Sequence, residues 1–497
     1  MLTLVALMAF GQVLFEEQSL PGLRIGPVTA FTGKPSSNFL HVDLDGDNLV
    51  DLLLPEAVYF QEMGLFPESR RSALPPCSET VEGDVFGDTL YYRTPTGLAA
   101  YTWRDGKWHQ ALEQALAWPD QDTPFGPVGN GPTVPVFRRF TFDVDGDGIP
   151  ELVGLDAEGV HLYRMGAERY EPAGMLPVYP TLVINRSGPQ AIWPPDRRQV
   201  VLPEQRMSCR LLVMEGTLAV VTDLNGAEGR VRFRRDDLRL APGSDGVYTI
   251  ASSSSSTSGE LPAHVRPCRL NGDAQLDYGG VHWVLSDVAP VPMPIHETWA
   301  SLDGGNTFHV ERAPTFHNFR PLTSFVDFDS DGDMDMVVES TSFFDGGLRE
   351  SINQYLSRKS IPHTVRIHAQ ADGRFSASPV SVHIELELDA PPISPGPMLA
   401  RYQSGELVNV TGDFNGDGYH DLAIRRAAGQ VEIRLARAWD TFDTRPAAEI
   451  EISESAHVSV ADINGDGLSD VLVRGDGTVE TEVPAGSIVY YARKAAP

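Results

Sequence analysis

The sequence predicts an all-β propeller, with eight blades favoured over seven. A short acidic phrase recurs five times: DLDGDNLVDLL at Asp43–Leu53, DVDGDGIPELV at Asp143–Val153, DFDSDGDMDMVV at Asp327–Val338, DFNGDGYHDLAI at Asp413–Ile424 and DINGDGLSDVLV at Asp462–Val473. Short apolar runs flank the copies, most of them rich in branched residues, and these read as strands. Phe39-Leu40-His41-Val42 precedes the first copy and Val458-Ser459-Val460 the last, while Leu52-Leu53-Leu54, Met336-Val337-Val338 and Val471-Leu472-Val473 follow three of them. Gly (46 residues) and Pro (38 residues) are frequent enough for the many turns such a fold needs.

Three weaker copies fill the intervals. Asp84–Tyr92 keeps an acid at positions 1 and 5 but has Phe86 at 3 and Tyr92 at 9. Asp223–Val231 keeps positions 1 and 3, and Arg269–Asp277 keeps 3, 5 and 9 with Arg269 at position 1. The eight copies are spaced by about 60 residues on average, more than the roughly 40–50 of a four-stranded blade. Insertions are therefore expected near 180–220, 244–262 and 345–405. The serine tract Ser252–Ser258 is expected as a disordered loop, and Leu348–Arg358 as a short helix. About 30 residues precede the first copy, enough for a strand that closes the ring. Residues 12–497 thus read as one propeller.

The chemistry of the phrase is that of a hard cation. Carboxylates or carboxamides recur at positions 1, 3, 5 and 9 on a chain bent by Gly, and Ca²⁺ takes six to eight such oxygens, some from backbone carbonyls. No Lys or Arg lies between them in sequence. An EF-hand would need flanking helices and a Glu at position 12. Position 12 here is Leu54, Gly154, Val338, Ile424 or Val473, so that reading fails. Calcium is not assigned to the three weak copies.

The formal net charge of −29 is partly local to these loops and makes nucleic acid an unfavourable partner. No apolar run approaches the length of a membrane span. Leu2–Phe10 has the length of a secretory apolar segment, so residues 1–11 read as a signal peptide, although no Lys or Arg precedes the run. Export to the periplasm, the cell surface or the extracellular medium follows, where weak calcium sites are useful. Cys77, Cys209 and Cys268 match no zinc spacing; Cys209 and Cys268 pairing, or three buried thiols, both fit.

The phrase D-x-[DN]-x-D-G-x-x-D followed by an apolar strand resembles the FG-GAP/VCBS repeat family, which includes the integrin α-subunit propeller and many exported bacterial proteins. The resemblance runs over about residues 35–480. It implies a β-propeller with calcium held in hairpin loops of several blades. The implied side-chain ligands are Asp43, Asp45, Asp47 and Asp51; Asp143, Asp145, Asp147 and Glu151; Asp327, Asp329, Asp331 and Asp335; Asp413, Asn415, Asp417 and Asp421; and Asp462, Asn464, Asp466 and Asp470. The implied carbonyl donors are Leu49, Ile149, Asp333, Tyr419 and Leu468. Two departures stand out: Asn48 replaces the turn glycine of the first copy, and Glu151 replaces Asp in the second. Asn tolerates the left-handed conformation.

Ser301-Leu302-Asp303-Gly304-Gly305-Asn306-Thr307-Phe308 fits the Asp-box pattern S-x-D-x-G-x-T-[WF]. It resembles the turns of sialidase-type propellers, and is expected to tie a hairpin to its own backbone rather than to catalyse. No G-x-S-x-G, H-E-x-x-H, P-loop or G-x-G-x-x-G occurs. The thirteen histidines form no cluster in sequence, and His363 and His368 are expected on a strand or loop surface. Arg474-Gly475-Asp476 reads as the turn after a blade strand rather than as an adhesion tripeptide. Two functions fit: an exported calcium-binding propeller acting as a binding or adhesion module for a protein or glycan, or a propeller-type polysaccharide lyase with a Tyr, Lys or His base in its funnel. The absence of a catalytic constellation favours the first.

Overall fold

Branched and aromatic runs separated by Gly- and Asp-rich turns pair with their sequence neighbours as antiparallel strands. The structure is a computed structural model. It describes residues 13–494 apart from 29–34, 77–81, 119–135, 177–181, 185–204, 272–276, 287–292, 315–322, 342–352, 388–407, 475–486 and scattered positions between strands. Among the described residues, six four-stranded and two five-stranded sheets form eight blades.

In chain order, blade 1 is Leu40–Val42, Asp51–Leu53, Ala57–Tyr59 and Arg71–Ala73. Blade 2 is Glu82–Phe86, Thr89–Thr94, Gly97–Arg104 and Lys107–Ala115, with Val136–Phe137 added in parallel to its first strand. Blade 3 is Thr141–Phe142, Glu151–Leu155, Val160–Met165 and Tyr170–Leu176. Blade 4 is Cys209–Met214, Thr217–Asn225, Arg230–Pro242 and Tyr248–Thr257, with Leu261–Pro262 paired to its third strand. Blade 5 is Val265–Cys268, Asp277–Ser286, Met293–Ser301 and His309–Pro314. Blade 6 is Thr323–Val326, Asp335–Thr341, Ser360–His368 and Val380–Glu387; blade 7 is Val408–Gly412, Asp421–Ala427, Gln430–Arg434 and Ala448–Glu451. Blade 8 takes His457–Ala461, Asp470–Arg474 and Ser487–Lys494 from the C-terminal end and Val13–Leu20 from the N-terminal end. That last strand pairs in register from Val13 opposite Lys494 to Leu20 opposite Ser487, and so closes the ring as expected.

First strands are largely buried, as in Val408–Gly412 and His457–Ala461, and these two first strands of adjacent blades touch each other. Fourth strands alternate or face solvent, as in Val380–Glu387. The first strands therefore surround the ring axis and the fourth strands form the rim. Eight apolar clusters fill the seams between successive blades. Val58 and Phe60 of blade 1 meet Leu90 and Tyr92 of blade 2, and Val337 and Ile367 of blade 6 meet Val408 and Leu422 of blade 7. The last seam brings Leu472 and Tyr491 of blade 8 against Leu52 and Tyr59 of blade 1. Each blade thus buries its faces against two neighbours, which is how radial repetition protects sheet edges.

Several expectations need correction. The serine tract is not a disordered loop: Ser252 to Ser256 pair with Arg239 to Arg235 inside the rim strand Tyr248–Thr257. An edge strand with both faces in water needs backbone pairing but no apolar side chains, so serine suffices there. Much of 244–262 is accordingly blade, as are Cys209–Met214 within 180–220 and Ser360–His368 and Val380–Glu387 within 345–405. In the expected helix, Asn353, Leu356 and Ser357 are helical; its other residues lie outside the described set. The copy at Asp223 sits at the hairpin between the second and third strands of its sheet, one strand out of phase with the strong copies. His363 and His368 do lie on a strand but are buried, at 3% and 1% exposure, because the third strand of blade 6 is covered on both sides. Residues 1–12, Cys77 and the side chain of Cys209 lie outside the described residues, as do Gly475 and Asp476; Arg474 ends its strand as expected.

Candidate functional site

All five strong loops join the first strand of a blade to its second, so they emerge at the same end of the ring. Their internal geometry repeats. Gly46 N–H donates to Asp43 Oδ1 at 2.8 Å and Asn48 N–H to Oδ2 at 3.0 Å. The same pair of bonds recurs at Asp143, Asp413 and Asp462, and Gly332 N–H reaches Asp327 Oδ2 at 3.1 Å. The acid at position 5 accepts the N–H of position 7 in every copy, as in Asp47–Leu49, Asp331–Asp333 and Asp417–Tyr419. Holding both bends needs left-handed backbone. Gly46 (φ 77°) supplies it at position 4 and Asn48 (φ 65°) at position 6, where the other copies carry glycine. Asn48 thus does what its chemistry allows.

The acid at position 9 has a different setting. Asp51, Asp335, Asp421 and Asp470 are fully buried. One carboxylate oxygen accepts the N–H of position 2: Leu44, Phe328, Phe414 or Ile463, at 2.8–2.9 Å. The other accepts an N–H in or just after the third strand: Gln61, Gln370, Ala436 or Ala492. This side chain stitches the loop to its own blade, and each oxygen keeps a second lone pair. Burial pushes Asp51, Asp335 and Asp421 up to about 7 and Asp470 well above the carboxylate range. Glu151 is also raised by burial. A carboxylate taken out of water without a cation favours its neutral form.

Carboxylate oxygens converge within 4.8 Å of one another at Asp43, Asp45 and Asp51, at Asp143, Asp145 and Glu151, and at Asp327, Asp329 and Asp331. Asp45 and Asp329 are raised by burial and then by the neighbouring carboxylates Asp47 and Asp331. Positions 1, 3 and 9 therefore meet in two loops, and 1, 3 and 5 in a third. Of the residues at position 7, Leu49, Ile149 and Tyr419 expose their side chains while Leu468 is buried.

Four side chains absent from the sequence reading enter the loops from elsewhere. Arg70 Nη2 lies 2.7 Å from Asp45 Oδ2, Arg164 Nη2 lies 3.1 Å from Asp147 Oδ2, and Arg493 Nη1 lies 3.5 Å from Asp466 Oδ2. Tyr248, from blade 4, places its hydroxyl 2.7 Å from both Asp145 and Glu151. A phenol has one proton to donate, so both contacts are satisfied only if one carboxyl is protonated. The second loop is thus the most fully occupied by protein groups. Among the described residues no guanidinium pairs with a carboxylate of Asp413–Asp421.

The loops are also bonded to one another. Met334 N–H donates to the Leu270 carbonyl, His420 Nε2 to that of Asp327, Ser469 N–H to that of Asp413, and His41 Nε2 to that of Ile463. The weak copy at Asp84 is used differently. Its Oδ2 accepts from Phe140 N–H, Thr141 N–H and the Thr141 hydroxyl, tying blade 2 to blade 3. A cavity of about 730 Å³ opens beside these first strands, lined by His41, Asp43, Asp84, Phe86, Asp88 and Thr141 among others. The Asp box forms the turn from the third to the fourth strand of blade 5. Asp303 accepts from Ser301 Oγ, the N–H groups of Asn306 and Thr307, and Thr307 Oγ1 at 2.6–3.0 Å. Burial opposes it, but these donors, led by the Thr307 hydroxyl, hold the Asp303 carboxyl below the usual range.

Eight radial blades, five of them with an acidic hairpin of repeated geometry, define an eight-bladed β-propeller. Residues 413–473, from the loop of blade 7 through the second strand of blade 8, match the family model of the FG-GAP-like repeat. That match and the eight-blade arrangement fit an FG-GAP-repeat β-propeller. No curated protein matches it. Among solved structures, Kluyveromyces lactis Hsv2p is similar at 8% identity over 84% of this chain and 97% of that one, with a TM-score of 0.25, too low to carry an argument.

Proposed function

We propose that this protein is an exported, calcium-stabilised propeller that presents one face or its central cavity to a protein or glycan. A propeller of this type is a binding scaffold in general, and no helix among the described residues is long and apolar enough to cross a membrane. The observation that carries the calcium reading is the convergence of carboxylate oxygens from positions 1, 3 and 9 in a hairpin of repeated geometry. Those oxygens suit a hard cation, and a cation would relieve the burial of the acid at position 9. Asp43, Asp45, Asp47 and Asp51, with their counterparts in the other strong loops, would hold it. The ion would supply cross-linking charge rather than reactivity.

Export remains motivated by Leu2–Phe10 and by the fit of weak calcium sites to extracellular calcium. A lyase would need a base in its funnel. Among the described residues lining the cavity beside the first strands of blades 1 and 2, His41 is the one Tyr, Lys or His, and its Nε2 is bonded to the Ile463 carbonyl. Screening purified protein on a glycan array, in calcium and in chelator, tests the reading. Calcium-dependent retention of a defined glycan supports it. Ultraviolet absorbance rising on acidic polysaccharides would instead reveal a lyase.

A further inference from the structure

The seam between blades 5 and 6 holds a cluster that has no part in the calcium loops. His309 and Glu311 lie two apart on the fourth strand of blade 5, so they share a face. His368 ends the third strand of blade 6. His309 Nε2 is 3.3 Å from Glu311 Oε1, and His368 Nε2 is 3.8 Å from Glu311 Oε2. One ligand atom from each of the three residues falls within 4.8 Å of the others.

The hydrogen bonding fixes what these atoms offer. His368 Nδ1 is 2.9 Å from the Ser376 carbonyl, which can only accept, so Nδ1 carries a proton. In the neutral ring Nε2 is then a lone pair. It is buried, and like His309 Nε2 it has no hydrogen-bond partner among the described residues. A lone pair facing a carboxylate is an arrangement that a cation between them would resolve. An imidazole held through its other nitrogen by a carbonyl is also the usual support of a metal-ligating histidine. Arg366 Nη1 lies 3.1 Å from Glu311 Oε2 while Nη2 bonds the Arg312 carbonyl, so the guanidinium anchors one oxygen and leaves Oε1 turned to His309.

We propose that His309, Glu311 and His368 form a binding site for a borderline divalent transition metal of the Zn²⁺ class, distinct from the calcium loops. The spacing fits. Ligands about 2.0–2.1 Å from a tetrahedral ion stand roughly 3.3 Å apart. Two imidazoles and one carboxylate suit Zn²⁺, Co²⁺ or Ni²⁺, whereas Ca²⁺ selects oxygen alone. His309 and Glu311 are partly exposed, at 27% and 20% for their side chains, so an ion has a path in and a fourth position remains for water. The site would pin blade 5 to blade 6.

The test uses untagged full-length protein, stripped of metal and then titrated with Co²⁺ and with Zn²⁺ in millimolar calcium. One equivalent of Co²⁺ with the intense visible absorption of a four-coordinate site, displaced by Zn²⁺, is the expected result. His309→Ala and Glu311→Gln, both at the exposed side of the cluster, should weaken binding by more than about tenfold. Glu68→Gln, at an exposed side chain of blade 1 outside both kinds of site, should leave it unchanged. Circular dichroism confirms that each variant is folded. A folded wild-type protein that takes up no stoichiometric Co²⁺, or a folded His309→Ala protein that binds it as tightly, overturns the proposal.

Discussion

The acid at position 9 carries most of the tension in each loop. Asp51, Asp335 and Asp421 are buried and pushed up to about 7, above the unfolded value near 4. Between those values the folded chain binds more protons than the unfolded one, so these groups make stability fall as pH rises from about 4 to 7. In chelator, the melting temperature should therefore rise on acidification from pH 7 to pH 5. In millimolar calcium the same acidification should flatten or reverse that trend, since protons compete with the ion; melting curves at both pH values in both conditions check this. Asp329→Ala tests one loop alone. With a Kd of roughly 0.1 mM and calcium of about 1 mM, a site contributes about 1.4 kcal/mol. That share of calcium-dependent stability should disappear in denaturant titrations, with the other loops intact. These acids were legible in sequence because the loop is local, every ligand lying within nine residues. Arg70, Arg164, Arg493 and Tyr248 were not, because they reach the loops from later segments of the same blade or from another blade. His309 and His368 escaped for the same reason.

At the scale of the element, the hairpin is the unit. In four of the five loops position 9 ties the loop to the third strand of its blade or the residues just after it, and Met334, His420 and Ser469 tie loops to their predecessors. The Asp box does comparable work at the neighbouring turn of blade 5, at the same end of the blade as its first hairpin, through side-chain and backbone donors alone. Asp303→Ala removes an acceptor of four hydrogen bonds, two of them from backbone N–H groups. It should cost about 1–3 kcal/mol in chemical denaturation, independent of calcium. An unchanged midpoint would mean that water replaces those bonds. Strands whose side chains alternate or run apolar were readable from their pattern, as at Leu52 or Val471. The serine tract was not, since a rim strand with both faces in solvent has no apolar signature; what holds it is the ladder to Arg235–Arg239 and the Ser255 hydroxyl donating to Asp236.

For the whole molecule, closure is the decisive contact. Val13–Leu20 completes blade 8 and buries Val13 and Leu20, with Leu23 beside them accepting a bond from Ser487. Deleting Val13–Leu20 leaves the ring open at an unpaired edge. It should replace a single sharp melting transition by a broad one, with aggregation, in calorimetry. The eight-blade ring was foreseeable from eight near-regular copies, although the copy at Asp223 is out of phase with the rest and marks its blade only by position.

The most direct test of the calcium-stabilised propeller compares thermal unfolding of the same protein in millimolar calcium and in excess chelator. Five sites at about 1.4 kcal/mol each sum to about 7 kcal/mol, comparable with the whole net stability of an ordinary domain. The Arg164 and Tyr248 contacts at Asp143–Glu151 make that loop the smallest contributor. A marked fall in melting temperature on chelation, reversed by adding calcium, is the predicted result. Superimposable curves in the two conditions would contradict it and reduce the five loops to acidic turns.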